Sequence, residues 1–277
     1  MELKDTVALV TGASRGVGKA VAIALARAGA DVACAARATD DAPLKLPGTI
    51  DETVRHVEAA GRRGLAIPTN LASEADVERM VGRVIEHFGR VDVLINNAAI
   101  TFPGDLQLPM KRWDLIMAVN LRAAVQATQL VAPGMIERRR GAIANVSSAS
   151  AHQPFPGLMT YGMSKAALER MVIDVAGQLR PFGIAVNIFR IDVPVASEGF
   201  VANLPDIDHS DWEPTEVPAE GIVWMLRQPP EFTGQALGMV ELRARYGIMP
   251  SRAARPFVVP AGHPAAKDKD TSGRCNN

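Results

Sequence analysis

The chain has 277 residues, 48% hydrophobic and 22% charged, which suits a globular protein with one large buried core. Thirty basic residues balance thirty acidic ones, so no overall field favours nucleic acid or an anionic membrane, and neither is expected as a partner. The opening MELKD lacks the basic region and long apolar core of a signal peptide, and the longest apolar runs are strand-sized or broken by glycine and charge, which argues against a membrane span.

Residues 7–10 are a short apolar strand, followed by a glycine-rich turn and a helix over 19–27, the start of a β-α-β unit. A second strand is expected at 31–36, a helix at 53–60, a third strand at 65–68 and a helix at 73–88 opened by a Ser73/Asp76 capping box. A fourth strand at 91–95, a long helix at 112–137, a strand at 141–146, a helix at 161–179 and a strand at 184–188 extend the alternation. Strands that are apolar throughout and separated by helices imply a parallel sheet covered on both faces. Residues 234–240 add a candidate last strand.

Two insertions interrupt this rhythm. Residues 37–50, too long for a tight strand-to-helix link, read as a surface loop, and residues 194–218, with four prolines and scattered Phe200, Leu204 and Trp212, read as a partly ordered lid. Residues from 262 read as a polar tail, leaving 1–261 as one domain. Cys34 falls in a strand and Cys275 in the tail, so a structural disulfide is not expected and a reducing cytoplasm fits.

The chemistry concentrates in a few motifs. TGASRGVG at 11–18 sits between the first strand and first helix, where glycine permits a tight turn and backbone N–H groups can receive a pyrophosphate. Its spacing is G-x-x-x-G-x-G, and no G-K-S/T ending follows, which disfavours a nucleoside-triphosphate loop. YGMSK at 161–165 places Tyr161 and Lys165 four residues apart on one helical face, where the ammonium can stabilise a phenolate. Bringing a tyrosine from about 10 to about 7 takes roughly 4 kcal/mol of preference for the anion.

These motifs, with NNAA at 96–99, Asn120 and NVSS at 145–148, resemble the short-chain dehydrogenase/reductase family, and the similarity runs from about residue 5 to 242. The insertion around KLPGTI at 45–50 is similar to hydroxysteroid-dehydrogenase-like proteins. The resemblance implies a single Rossmann-type α/β domain with a doubly wound parallel sheet, binding a dinucleotide and transferring hydride between a carbonyl and an alcohol. Tyr161 is then the general acid or base. Lys165 lowers its pKa and contacts the nicotinamide ribose, Ser148 hydrogen-bonds the carbonyl oxygen, and Asn120 holds a water linking Lys165 to solvent. Ser147 competes with Ser148, and the family spacing to tyrosine selects Ser148. No metal is required.

The resemblance also assigns Gly12, Ser14, Arg15, Gly16, Val17 and Gly18 to the cofactor's phosphates, Asn70 and Leu71 to its adenine, and Asn97 and Ala98 to its ribose, with Ala99 where the family usually has glycine. Ala36 stands where an NAD enzyme carries an acid, and Arg15 with Arg37 can clamp a 2′-phosphate, so NADP(H) is preferred and NAD(H) is the alternative. The family's Pro-Gly after the sixth strand is replaced by RIDVPVA at 190–196, where Ile191 still offers backbone contacts to the nicotinamide. Arg190 is either an anchor for an acidic substrate or a partner for Asp192.

His152, Phe155, Met159, Phe200 and Trp212 are candidates for the rim of a pocket suited to a moderately large apolar carbonyl compound. The long helices at 112–137 and 161–179 resemble the pair this family uses for assembly, implying a homotetramer, with a homodimer as runner-up. Two other functions compete: an NADP-binding regulatory or structural protein with vestigial catalysis, and a related epimerase or dehydratase.

Overall fold

Five consecutive buried residues make up β1 (Val7–Thr11), as a strand covered on both faces requires. The chain continues through α1 (Gly16–Arg27), β2 (Asp31–Ala36), α2 (Ile50–Ala59), β3 (Gly64–Pro68), α3 (Glu74–Phe88) and β4 (Val93–Asn96). It goes on through α4 (Met110–Met117), α5 (Ala123–Arg138), β5 (Gly141–Ser148), α6 (Met159–Leu179), β6 (Ile184–Ile191), α7 (Glu198–Asn203), α8 (Glu216–Arg227), β7 (Ala236–Gly238) and α9 (Met239–Tyr246). The computed structural model describes residues 1–256; the tail at 262–277, Cys275 and the domain limit at 261 lie outside the described residues.

The seven strands form one sheet in the order β3-β2-β1-β4-β5-β6-β7, with every pairing parallel. Apolar residues of α1, α2, α8 and α9 fill one side of it, and those of α3, α5 and α6 fill the other. This is the doubly wound Rossmann-type arrangement expected. The strand order reverses between β1 and β4, and the crevice outside their C-terminal ends is where such sheets bind ligands.

Local chemistry sets the boundaries. Thr49 caps α2, its hydroxyl accepting from Glu52 N at 3.1 Å, so this helix begins one turn earlier than expected. Ser73 caps α3 as read, accepting from Asp76 N at 3.3 Å, and Gly89 ends it with φ of 82°. The helix expected at 112–137 is broken in two by a π-helical turn over Ala118–Arg122, which carries Asn120. By length and composition the 29-residue run Met110–Arg138 is apolar enough to cross a membrane; here Ala124, Ala127, Val131 and Met135 are packed into the core instead.

The region expected as a lid is only partly one. α8 was not foreseen, because Pro214 and Pro218 suggested irregular chain. Pro218 lies in the helix's first turn, where its missing N–H removes no intrahelical bond, and Val217, Ile222 and Leu226 are buried behind it. Glu213, fully buried, accepts from Arg243 Nη2 at 2.8 Å, Ser251 Oγ at 2.6 Å and the Arg252 amide at 2.8 Å, which fixes the second half of the insertion to the body. Trp212 is buried too and stacks on Phe200 at 4.5 Å, so it supports the lid from beneath instead of forming its rim. The last strand is likewise shorter than the 234–240 expected: it stops at Gly238, and α9 starts where Asp192 Oδ1 accepts from Val240 N at 3.2 Å.

Candidate active site

Tyr161 stands in the first turn of α6 and Ser148 ends β5, which sets their side chains beside each other. Burial pushes the Tyr161 phenol up to about 12, with the Ser148 hydroxyl acting in the opposite direction. One turn further along α6, Lys165 is 2% exposed, its Nζ donates to the Val146 carbonyl at 2.8 Å, and it lies 5.7 Å from the Tyr161 ring centre. Burial pulls this amine down to about 8, and the charge of Glu169 partly offsets that. The ammonium and phenol expected from YGMSK therefore share one face. In this state desolvation, not the lysine, dominates the phenol, which remains protonated at neutral pH.

Asn120 is buried in the π-helical turn. Its Oδ1 accepts from Ile100 N at 2.8 Å, and its Nδ2 donates to Ile100 O at 2.9 Å and Ser164 Oγ at 3.1 Å. Both Nδ2 protons and one acceptor site of Oδ1 are thus engaged within the protein.

The glycine-rich turn is held in a crossed arrangement beside this group. Thr11 Oγ1 accepts from the amides of Asn97 at 3.1 Å and Ala98 at 3.2 Å, and Asn97 Nδ2 donates to Thr11 O at 2.9 Å. Asn97 thus clamps the backbone of the turn with its side chain, while Asn96 Nδ2 donates to Asn145 Oδ1 at 2.9 Å. A Cβ on Gly18 would overlap Gly12 O and Asn97 Nδ2, and Gly12 and Gly16 have φ of 68° and 57°, so all three positions need glycine. Ser14 and Val17 are buried within the turn.

Arg15 leaves the turn toward the insertion at 37–50, where its Nη2 donates to Gly48 O at 3.1 Å while its buried Nε has no partner. Desolvation lowers its pKa, the nearby Arg37 acts in the same direction, and Glu198 acts against both. Arg37 is exposed and has no ion-pair partner among the described residues. The insertion is a surface loop as expected, but its Gly48 packs directly on the Ser14 carbonyl. Asn70 Oδ1 accepts from Ala72 N at 3.2 Å, and Leu71 is buried in a small cavity with Thr11 and Ala98. Ile191 pairs with Ser148 at the C-terminal ends of β5 and β6.

One cluster was not read from the sequence. Glu169, 6% exposed on α6, accepts from Ser147 Oγ at 2.6 Å, from Arg190 Nε at 3.0 Å and from Arg190 Nη2 at 2.7 Å, and His152 Nε2 lies 2.7 Å from it. Burial raises its pKa, but the bonds from Arg190, Ser147 and His152 outweigh this and hold it below the usual carboxylate range. Arg190 therefore has Glu169 as its main partner, with Asp192 a lesser attraction, and is not free to anchor an acidic substrate. Ser147 is committed to the same cluster, which leaves Ser148 facing Tyr161. The available signal was spacing: Glu169 is four residues beyond Lys165 on the buried face of α6. Among the described residues no three His, Cys, Asp or Glu side chains are grouped to hold a metal.

A doubly wound sheet with this glycine turn and this Asn120, Ser148, Tyr161 and Lys165 group defines a dinucleotide-binding class. The chain belongs to the short chain dehydrogenase family, whose profile matches residues 6–193. Among relatives, hydroxysteroid dehydrogenase-like protein 2 of Danio rerio is 31% identical over 270 residues, covering 96% of this chain, and the chain spans 64% of that protein's length. A solved Xanthomonas campestris chain described as a dehydrogenase is 30% identical with a TM-score of 0.83, covering 95% of this chain and 99% of the other. A metagenomic short-chain oxidoreductase solved in complex with NADP is 27% identical with a TM-score of 0.72, covering 86% of this chain and 98% of the other. Both the family and the narrower resemblance to hydroxysteroid-dehydrogenase-like proteins are borne out.

Proposed function

We propose that this chain is an NADP(H)-dependent oxidoreductase that interconverts a ketone or aldehyde and an alcohol, acting on a moderately large apolar substrate. The observation that carries this reading is the Ser148 hydroxyl set beside the Tyr161 phenol, with Lys165 buried behind them. Two hydroxyls converging on one point suit a carbonyl oxygen, to which each can donate, and a phenol kept neutral by burial is poised to give its proton to a developing alkoxide. Lys165 places positive charge behind that oxygen. Phe155 and Phe200, both exposed near the site, support an apolar substrate.

The residues fit a dinucleotide. Gly12, Gly16 and Gly18 allow the tight strand-to-helix turn that presents backbone N–H groups, and Arg15 keeps a buried, unpartnered Nε beside them. When bound, the nicotinamide supplies or accepts the hydride. Ala36 at the end of β2 offers no carboxylate to a ribose, while Arg15 and Arg37 lie close enough to repel each other, an arrangement that a 2′-phosphate would relieve. The reading is tested by following NADPH absorbance with a panel of apolar ketones and aldehydes, and NADP+ with secondary alcohols. Folded protein that neither binds the cofactor nor turns over any of the panel would overturn it.

The cofactor assignment makes a sharper prediction. Arg37→Ala should weaken NADPH by roughly 1.5 to 3 kcal/mol, the worth of a charged hydrogen bond, and barely change NADH. Titration calorimetry with both cofactors checks this, and an equal loss for the two would reject the 2′-phosphate assignment.

Assembly into a homotetramer, or failing that a homodimer, is part of the proposal, supported by Met163 and Ile173, which stand exposed on α6. Light scattering over a concentration series should give a mass above the monomer, and a persistent monomer at micromolar protein would contradict it. A cytoplasmic location is supported by Cys34, a buried free thiol.

A further inference from the structure

The N-terminus of α1 has an unusual occupant. Its N-cap, Arg15, makes no side-chain cap and its first turn contains no acid, yet Gly16 N donates to a carboxylate oxygen of Glu198 at 2.8 Å, from 182 residues away. Glu198 is the first residue of α7, the part of the insertion that projects as a lid. Ser197 caps that helix through Phe200 N at 3.3 Å, and the Ser197 Cβ lies 3.2 Å from where a Cβ on Gly16 would stand. Glu198 also acts electrostatically on Arg15. A side-chain anion thus uses the backbone donor that the glycine-rich turn presents to a phosphate.

We infer that Glu198 is a latch on the cofactor cradle: its carboxylate holds α7 against Gly16 in the free enzyme, and the cofactor's pyrophosphate must displace it in order to bind. This rests on the proposed dinucleotide site and adds a determinant of affinity and a coupling to the lid. Two anions cannot share one amide without repulsion, so dinucleotide binding is weakened by whatever Glu198 gains from Gly16. The displaced carboxylate frees α7. Phe200 on α7 stacks on Trp212, which is anchored in the body, so displacement of the helix changes the surroundings of a tryptophan.

The latch makes a prediction distinct from that for Arg37. NADPH and NADH carry the same pyrophosphate, so Glu198→Gln, which removes the charge but keeps an oxygen able to accept from Gly16 N, should tighten both cofactors by a similar factor of about tenfold. Binding is measured by calorimetry on the free enzyme, without substrate. In parallel, adding NADPH to the wild type should change tryptophan fluorescence, and Trp212→Phe should abolish most of that change although Trp113 and Trp224 remain. Glu198→Ala serves as a second variant with no acceptor at all and should also bind both cofactors more tightly. Unchanged or weaker binding in both variants, with wild-type binding intact, would overturn the latch and leave the cofactor reading standing. Wild type and variants that all fail to bind either dinucleotide would overturn both.

Discussion

Tyr161→Phe is expected to lower turnover by at least ~10²-fold, the usual loss when an acid/base group is removed, while leaving affinity for the dinucleotide nearly unchanged. Phenylalanine keeps the ring packing at the start of α6 and deletes only the oxygen that meets Ser148. Ser148→Ala should also reduce turnover. Ser147→Ala acts elsewhere: it removes one of the hydrogen bonds to Glu169, so its effect should fall on stability more than on rate. Rates are read from steady-state cofactor absorbance once one substrate is found, and affinity from calorimetry on the free enzyme. Near-normal rates in a folded Tyr161→Phe protein would sink the proposed chemistry, and the family and fold would be untouched by that result.

The alternation of apolar strands and helices was legible because burial on both faces leaves short, nearly continuous apolar runs in β1, β2 and β5, and the glycine turn was legible because Gly12, Gly16 and Gly18 meet steric demands that local sequence expresses. The tyrosine and lysine could be paired by helical spacing alone. What escaped were features set by tertiary contact. The π-helical turn at Asn120 interrupts a run that has every local mark of one continuous helix, and the side chain's bonds to Ile100 and Ser164 come from other segments. α8 was hidden by prolines whose tolerance depends on where the helix begins. Arg190 has Asp192 two residues away in sequence, but its carboxylate partner is Glu169, brought in from the helix that covers β5 and β6. The contact between Glu198 and Gly16 spans most of the chain and has no local signature.

Lys165→Met is expected to abolish useful turnover and yet stabilise the fold at neutral pH. The amine is 2% exposed and has been pulled from 10.5 down to about 8 by desolvation. In the unfolded chain it is a hydrated ammonium near its ordinary value, so below pH 8 folding must bury a charge that water would rather keep. That difference of about 2.5 pH units corresponds to about 3 kcal/mol against folding. Methionine fills a similar volume without the charge. It forfeits the bond to the Val146 carbonyl, worth about 1 kcal/mol, which leaves a net gain of about 2 kcal/mol at pH 7. The gain is confined to a window: between pH 8 and 10.5 the unfolded wild type binds more protons than the folded one, so wild-type stability rises with pH, the variant's advantage shrinks, and its sign reverses near pH 10, where the lost bond outweighs what is left of the desolvation cost. Urea unfolding at pH 7 should show a higher midpoint for Lys165→Met at unchanged slope, and the two midpoints should approach one another by pH 10. A variant less stable than wild type at pH 7 would overturn the reading that the buried ammonium costs stability. If the stabilisation is found, it identifies Lys165 as a charge held in the core against stability, for which the chemistry at Tyr161 is the physical reason.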